Sequence, residues 1–387
     1  MRIAHVSDCY LPRVGGIERQ IHDLAVRQQE HGHEVQIVTS VAGAPPASLD
    51  AITVHRPPPG PWPRSRADPA SIRYGWSARG RRHVLDSGVD VVHVHASTMS
   101  PLAFATAAAT TRLGVPTVVT IHSLWAYASP LFRWADRAVR WRQWPVTWSA
   151  VSSVAAAPLQ RILGPDVPVA VLPNGVHTEA WRTASISRNP NRVVIASVGR
   201  LARRKRPRQL LRILRDARDA IPADIQIEAV LAGDGPLAAS MRRYLDRHNM
   251  TEWVRLVGAA RPDEIRRIHA DADFYVAPAI LESFGIAALE ARCAGLPVVA
   301  YRGTGIADFV LDGVEGLLVA DDSQMVERIV RLATTPETLG RMRLHNATTD
   351  PPISWADTIR LSDALYEQAI GPTAISRLVP VDGEAVA

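Results

Sequence analysis

The chain has 387 residues, 47% of them hydrophobic, with 44 Lys plus Arg against 38 Asp plus Glu and a formal net charge of +6. That length and apolar share suffice for two buried cores, which excludes a small disulfide-held scaffold and a disordered chain. No uninterrupted apolar run of about 18 residues occurs, so no membrane-spanning helix is expected. The two cysteines, Cys9 and Cys293, both lie in apolar segments and give neither a disulfide framework nor metal-ligand spacing.

In chain order, RIAHVS opens the sequence as a strand without the layout of a signal peptide, so a reduced, cytoplasmic protein is expected. A helix from Ile17 to His31, closed by Gly32, leads to a second strand, HEVQIVTS. A Pro- and Arg-rich insertion, residues 55–69, reads as a surface loop. The strands DVVHVH, PTVVTIH, VTWSAVS and PVAVLP follow. Polar residues and turn signals at 178–191 mark a linker, after which VVIASVG restarts the strand–helix alternation that runs on to GLLVA. The pattern predicts an α/β protein of two Rossmann-like domains facing a central cleft, at 1–177 and 192–352. A helix at 353–370 is expected to cross back to the first domain, and residues 371–387 to form a disordered tail.

In parallel sheets, ligands bind at loops leaving the carboxyl ends of strands. Three such loops carry candidate chemistry. Gly15-Gly16 precedes the first helix, where glycines let a backbone approach an anion at a helix N-terminus, although a plain tight turn explains them as well. After VVIASVG, Arg200 and Lys205 form a basic loop suited to a diphosphate, while Arg203, Arg204 and Arg206 read equally as a solvated patch. In LESFGIAALEARCAGLPVVA, Glu282 sits in a loop and Glu290 in the helix after it, with Ser283 as the expected N-cap. Lys205 is the only lysine beside 43 arginines, against a coding background that favours arginine. A position that keeps lysine there points to a need for a compact ammonium.

Gly-Gly near the N-terminus, PNGV, VGRL followed by Lys, AGDGP, and ESFGIAALEARCAGLPVVA recur in this order in the family 4 retaining glycosyltransferases of GT-B fold, which the chain resembles over roughly residues 1–370. The resemblance implies that a hexose moves from a UDP- or GDP-linked donor to a hydroxyl of a sugar, polyol or lipid acceptor. The donor is then a substrate, and no cofactor or metal is implied. It implies that Glu290 holds the ribose and Glu282 the donor sugar, with Ser283, Phe284, Gly285 and Ile286 at a phosphate-facing helix start. Arg200 and Lys205 then neutralise the leaving diphosphate, Gly16 approaches the phosphates, and His122 lies near the sugar and the reaction centre. His177 and Asp308 depart from the family pattern, where aspartate and glutamate are usual.

Other features are set aside. Asp271 to Asp273 match a D-x-D metal motif but precede a strand, at the edge away from the loops. His93 and His95 share a strand face as zinc ligands do, with no third ligand suggested nearby. Residues 123–148 interleave Trp125, Trp134, Trp141, Trp144 and Trp148 with Arg133, Arg137, Arg140 and Arg142, which fits a packed core, an acceptor site or a peripheral contact with an anionic membrane. A nucleotide-sugar epimerase of the same fold is the alternative enzyme. Nucleic-acid binding, suggested by a pI near 9.8, lacks any recognised motif and is not expected.

Overall fold

Parallel strands alternate with helices throughout the computed structural model, which describes residues 1–13, 15–42, 52–56, 77–125, 132, 134, 136, 137, 139–183 and 191–371. The described residues divide into two compact units, one running from Met1 to Gly175 and including the C-terminal helix from Trp355, the other spanning Val176–Ser354. Most of the 55–69 insertion, Arg133, residues 184–190 of the expected linker, and the tail from 372 lie outside the described residues.

In the first unit the strands are β1 (Arg2–Ser7), β2 (Glu34–Thr39), β3 (Thr53–His55), β4 (Val91–Ala96), β5 (Thr117–Ile121), β6 (Thr147–Ala150) and β7 (Val169–Val171). They form one sheet in the order β3-β2-β1-β4-β5-β6-β7. The β4 residues are all buried, as expected of a parallel strand covered on both faces. Helices α1 (Gly16–Glu30), α2 (Ser77–Asp86), α3 (Pro101–Leu113) and α4 (Ser153–Leu163) make the crossovers.

The second unit begins with a short helix, α5 (Thr178–Trp181), so the first residues of the expected linker are helical. Its strands are β8 (Arg192–Val198), β9 (Gln226–Ala232), β10 (Val254–Gly258), β11 (Phe274–Ala277), β12 (Val298–Tyr301) and β13 (Gly316–Val319). They are ordered β10-β9-β8-β11-β12-β13. The helices between and after them are α6 (Pro207–Ala220), α7 (Ala238–Arg247), α8 (Pro262–Asp271), α9 (Ile286–Cys293), α10 (Asp322–Thr334) and α11 (Pro336–Thr348). A core of Leu210, Leu214, Phe274, Val276, Val299 and Ile329, among others, fills this unit.

The chain then returns to the first unit as α12 (Trp355–Ile370), whose Leu365 and Tyr366 join the core built on Ile3, Ile37 and Val118. Thr358 donates to Pro173 O, and a Cβ on Gly175 would collide with the Trp355 indole. Gly175 therefore serves close packing of the returning helix.

Candidate functional site

Strand order reverses at β8/β11 in the second unit, and the loops leaving these two strands meet. The loop after β8 carries Gly199, Arg200 and a 3-10 turn at Arg203–Lys205. It is braced from beneath: the Leu201 amide donates to Asp234 O at 2.9 Å and the Leu237 amide to Leu201 O at 3.0 Å. The loop after β11 carries Glu282, whose carbonyl accepts from the Gly305 amide at 3.0 Å.

Lys205 Nζ donates to Glu282 Oε2, so the lone lysine and the first glutamate of the motif form an ion pair across the switch point. Glu290 is half-buried on α9 rather than on a solvated face. Burial pushes the Tyr275 hydroxyl up from its ordinary value; its hydrogen bonding with the Val198 backbone opposes this, and the charges of Glu290 and Glu282 add to the rise. Arg200 is exposed and pairs with no carboxylate among the described residues.

Two local expectations change. Ser283 is not the N-cap: α9 starts at Ile286, and its N-cap is Gly285 in the left-handed region, with φ +98. The chain folds sharply over Ile306 there, and a Cβ on Gly285 would lie 2.5 Å from Ile306 Cγ1. Phe284 is buried and packs on Phe309 at 5.6 Å between ring centroids. The amides at the helix start are therefore those of Gly285 and Ile286. Arg206 is also not part of a solvated patch. Its guanidinium donates to both oxygens of Asp322 at 2.9 and 2.7 Å, to Tyr301 Oη at 2.7 Å and to Pro278 O at 3.2 Å. Burial opposes ionisation of Asp322, but bonds from Arg206, Tyr301 and Gln209 outweigh it and hold the carboxyl below its usual value. Arg206 thus anchors the loop that presents Lys205, and nothing in its sequence context distinguishes it from Arg203 and Arg204.

In the first unit, Gly16 opens α1 behind Gly15, whose extended backbone leaves space for the Glu18 carboxylate; a Cβ on Gly15 would collide with Glu18 Oε2. An acidic side chain therefore already stands at that helix start, a feature the Gly-Gly reading missed. At the end of β1, Asp8 accepts from the Leu102 and Ala103 amides at 3.1 and 3.0 Å, capping α3 from a distant strand.

His122 follows β5 and is buried, with Nε2 3.0 Å from His95 Nδ1. His95 Nε2 lies 2.8 Å from His5 Nδ1. Sequence suggested no third imidazole near His93 and His95, yet β1 supplies His5, because His5 registers with His93 across the β1/β4 pairing. The three rings place nitrogens within 4.8 Å of one another. A zinc ion needs bonds of about 2.0–2.1 Å from unprotonated nitrogens. The 2.8 Å contact is a hydrogen-bond distance, and each of these ring nitrogens already has a hydrogen-bond partner. His5 and His122 are depressed to about 4 by burial, and His93 and His95 lie well below their ordinary value for the same reason. All are neutral imidazoles at neutral pH.

The remaining features separate cleanly. Asp273 Oδ2 accepts from the Val194 amide at 2.7 Å, at the amino edge, away from the loops. The tryptophan-rich stretch divides. Trp125, Trp141 and Trp148 are buried, with Trp125 stacked on Phe132 at 4.0 Å, whereas Trp134 is 67% exposed. Arg137, Arg140 and Arg142 are exposed too, Arg142 pairing with Asp136 at 2.7 Å.

The family pattern described as Glycosyltransferase Family 4 matches residues 14–180, and that described as Glycosyl transferases group 1 matches residues 181–347. The phosphatidylinositol N-acetylglucosaminyltransferase of Arabidopsis thaliana has a subunit that is 24% identical over 96% of this chain and 82% of its own length. A GDP-mannose-dependent alpha-mannosyltransferase of Mycolicibacterium smegmatis is 28% identical over 83% of this chain and 85% of its own. Among solved structures, Anabaena HepE in complex with UDP and glucose superposes with a TM-score of 0.73 at 18% identity, covering 94% of this chain and 98% of that one. These matches do not favour the epimerase alternative. With two parallel-sheet units and the motif residues gathered at their sheet edges, the chain belongs to the family 4, group 1 glycosyltransferases of GT-B fold.

Proposed function

We propose that this glycosyltransferase is a retaining enzyme that moves a hexose from a UDP- or GDP-linked donor to a hydroxyl on a lipid-linked or cell-envelope acceptor. The observation that carries this reading is the Lys205–Glu282 pair beside half-buried Glu290 at the carboxyl edge of the second unit's switch point. Opposed charges held there before substrate arrives need little rearrangement when charge develops on a departing diphosphate. Lys205 and exposed Arg200 supply the cations, so the donor is expected to react without a divalent metal. Amides at the start of α9 face an anion favourably. Glu290 takes the ribose hydroxyls and Glu282, beside Lys205, those of the sugar. His122 is neutral and suits a hydroxyl near the reaction centre. Attack is from the front face, with the leaving phosphate oxygen taking the acceptor's proton.

The lipid acceptor draws support from exposed Trp134 beside Arg137 and Arg140, and from the phosphatidylinositol in the Arabidopsis relative's name. No described helix is long and apolar enough to cross a membrane, and a cytoplasmic enzyme resting on the inner membrane face fits these features. A thermal-shift panel of nucleotides and nucleotide sugars, with and without EDTA, tests the donor. Stabilisation by a nucleoside diphosphate that survives EDTA and is weakened in Glu290→Gln is expected; a strict Mg²⁺ requirement would overturn the metal-free reading. Sedimentation with anionic liposomes at low salt, lost in Trp134→Ser, tests the membrane contact, and no sedimentation of the wild type removes it.

A further inference from the structure

His122 is the outer end of a buried hydrogen-bonded chain whose direction follows from fixed donors and acceptors. The inner end is Gln28 on α1, which is fully buried. Its amide nitrogen faces Tyr366 Oη at 2.8 Å and Ser362 Oγ at 3.4 Å, both on α12. The Ser362 hydroxyl is already committed as a donor to Ile359 O at 2.8 Å, so toward Gln28 it only accepts. The Gln28 nitrogen therefore belongs on that side, and its carbonyl oxygen faces His5 Nε2 at 2.7 Å. An amide oxygen only accepts, so His5 carries its proton on Nε2 and leaves Nδ1 bare. His95 must then donate from Nε2 to His5 Nδ1, and His122 from Nε2 to His95 Nδ1. A second arm agrees. Tyr366 accepts from Gln28 and donates to His93 Nδ1 at 2.8 Å, and His93 donates from Nε2 to Thr120 Oγ1 at 2.7 Å. Thr120 passes its proton to Ser149 Oγ at 2.7 Å, which ends on the Val119 carbonyl at 3.5 Å.

We infer that this chain is a positioning network that fixes His122 as a single neutral tautomer, with its proton on Nε2 and its Nδ1 bare as an acceptor toward the substrate hydroxyl proposed for it above. The inference rests on the transferase reading for the identity of the substrate, but not for the direction of the chain. An imidazole with one unprotonated nitrogen and no positive charge accepts an O–H well. It sets lone pair against lone pair when an anionic oxygen takes that place. Gln28 is fully buried and never touches substrate; oriented by Ser362, it acts by deciding which His122 nitrogen holds the proton. His95, Thr120 and His122 also border a small cavity of about 20 Å³, with Gln20 and Asn174, which has room for one water.

Long-range proton–nitrogen spectra of the full chain labelled with nitrogen-15 histidine read the tautomers directly, with His122 assigned by its loss in His122→Gln. His5, His95 and His122 should each show a proton on Nε2 alone at pH 7. A proton on His122 Nδ1, or a tautomer mixture, overturns the network. Gln28→Leu keeps the bulk and removes the amide that orients the chain. It should shift the His122 nitrogen resonances and lower kcat roughly tenfold, with donor KM within about twofold. A variant with a lower Tm but unchanged His122 resonances would reduce Gln28 to packing and overturn the relay. Absence of transfer from any donor would count against the transferase reading, and the spectra would still decide the network.

Discussion

Lys205 shows how much one side chain's chemistry can carry. Its neighbours Arg203, Arg204 and Arg206 show that arginine is the default cation here, yet the position beside Glu282 holds an ammonium. A guanidinium there is planar, larger and differently hydrated. Lys205→Arg is therefore expected to keep the fold and cost on the order of 2–4 kcal/mol of transition-state stabilisation, roughly 30- to 1,000-fold in kcat. Turnover at saturating donor decides it, with circular dichroism as the folding control, and activity within about twofold of wild type would make the lysine incidental. Glu290→Gln should raise the donor's apparent Kd, whereas Glu282→Gln, which also leaves Lys205 unpaired, should act mainly on kcat. Wild-type kinetics in both would remove the assignment. Arg206 acts differently. Arg206→Ala removes both bonds to the half-buried Asp322 carboxylate and should lower Tm and cut turnover, because the loop bearing Lys205 loses its anchor.

Elements were legible where one continuous segment specifies strand, loop and helix. LESFGIAALEARCAGLPVVA announced its loop and helix through its own apolar spacing, and so brought Glu282 and Glu290 into the reading. The exact helix start escaped, since Ser283 is a good cap by type while Gly285 is required by the turn over Ile306. Gly285→Ala combines an unfavourable left-handed backbone with a 2.5 Å clash, and should move the start of α9 and weaken diphosphate binding, read by isothermal titration. Contacts across sheet register were not legible at all. His5 is 90 residues from His95, and only the β1/β4 pairing makes them neighbours. Asp8 is a similar case: it caps α3 from 94 residues away. Asp8→Ala leaves two helix-start amides buried without an acceptor and should lower stability by about 2–4 kcal/mol, measured by urea unfolding.

For the molecule as a whole, the histidine chain ties stability to pH. An unfolded imidazole titrates near 6.5, whereas His5 and His122 titrate at about 4, and His93 and His95 are also shifted well down, all chiefly by burial. Between these values the unfolded chain binds protons that the folded chain refuses, so stability is complete above about pH 6.5 and falls as the pH drops toward 4. His269 in the second unit, also at about 4, contributes with the same sign. Chemical denaturation followed by circular dichroism should show a midpoint clearly lower at pH 5 than at pH 7.5, and a flat profile would mean that the buried rings are already charged. The returning helix α12 has a consequence for how the protein is made. Synthesis proceeds from the N-terminus, and domains generally fold as units during it. The second unit is continuous and has all its parts once residue 354 is made, whereas the first must wait for Tyr366 before Gln28 and His93 have their partner. The half of the chain translated first is thus the last to be finished, and a released chain ending at residue 354 should hold a protease-resistant second unit beside a first unit that is still readily cut.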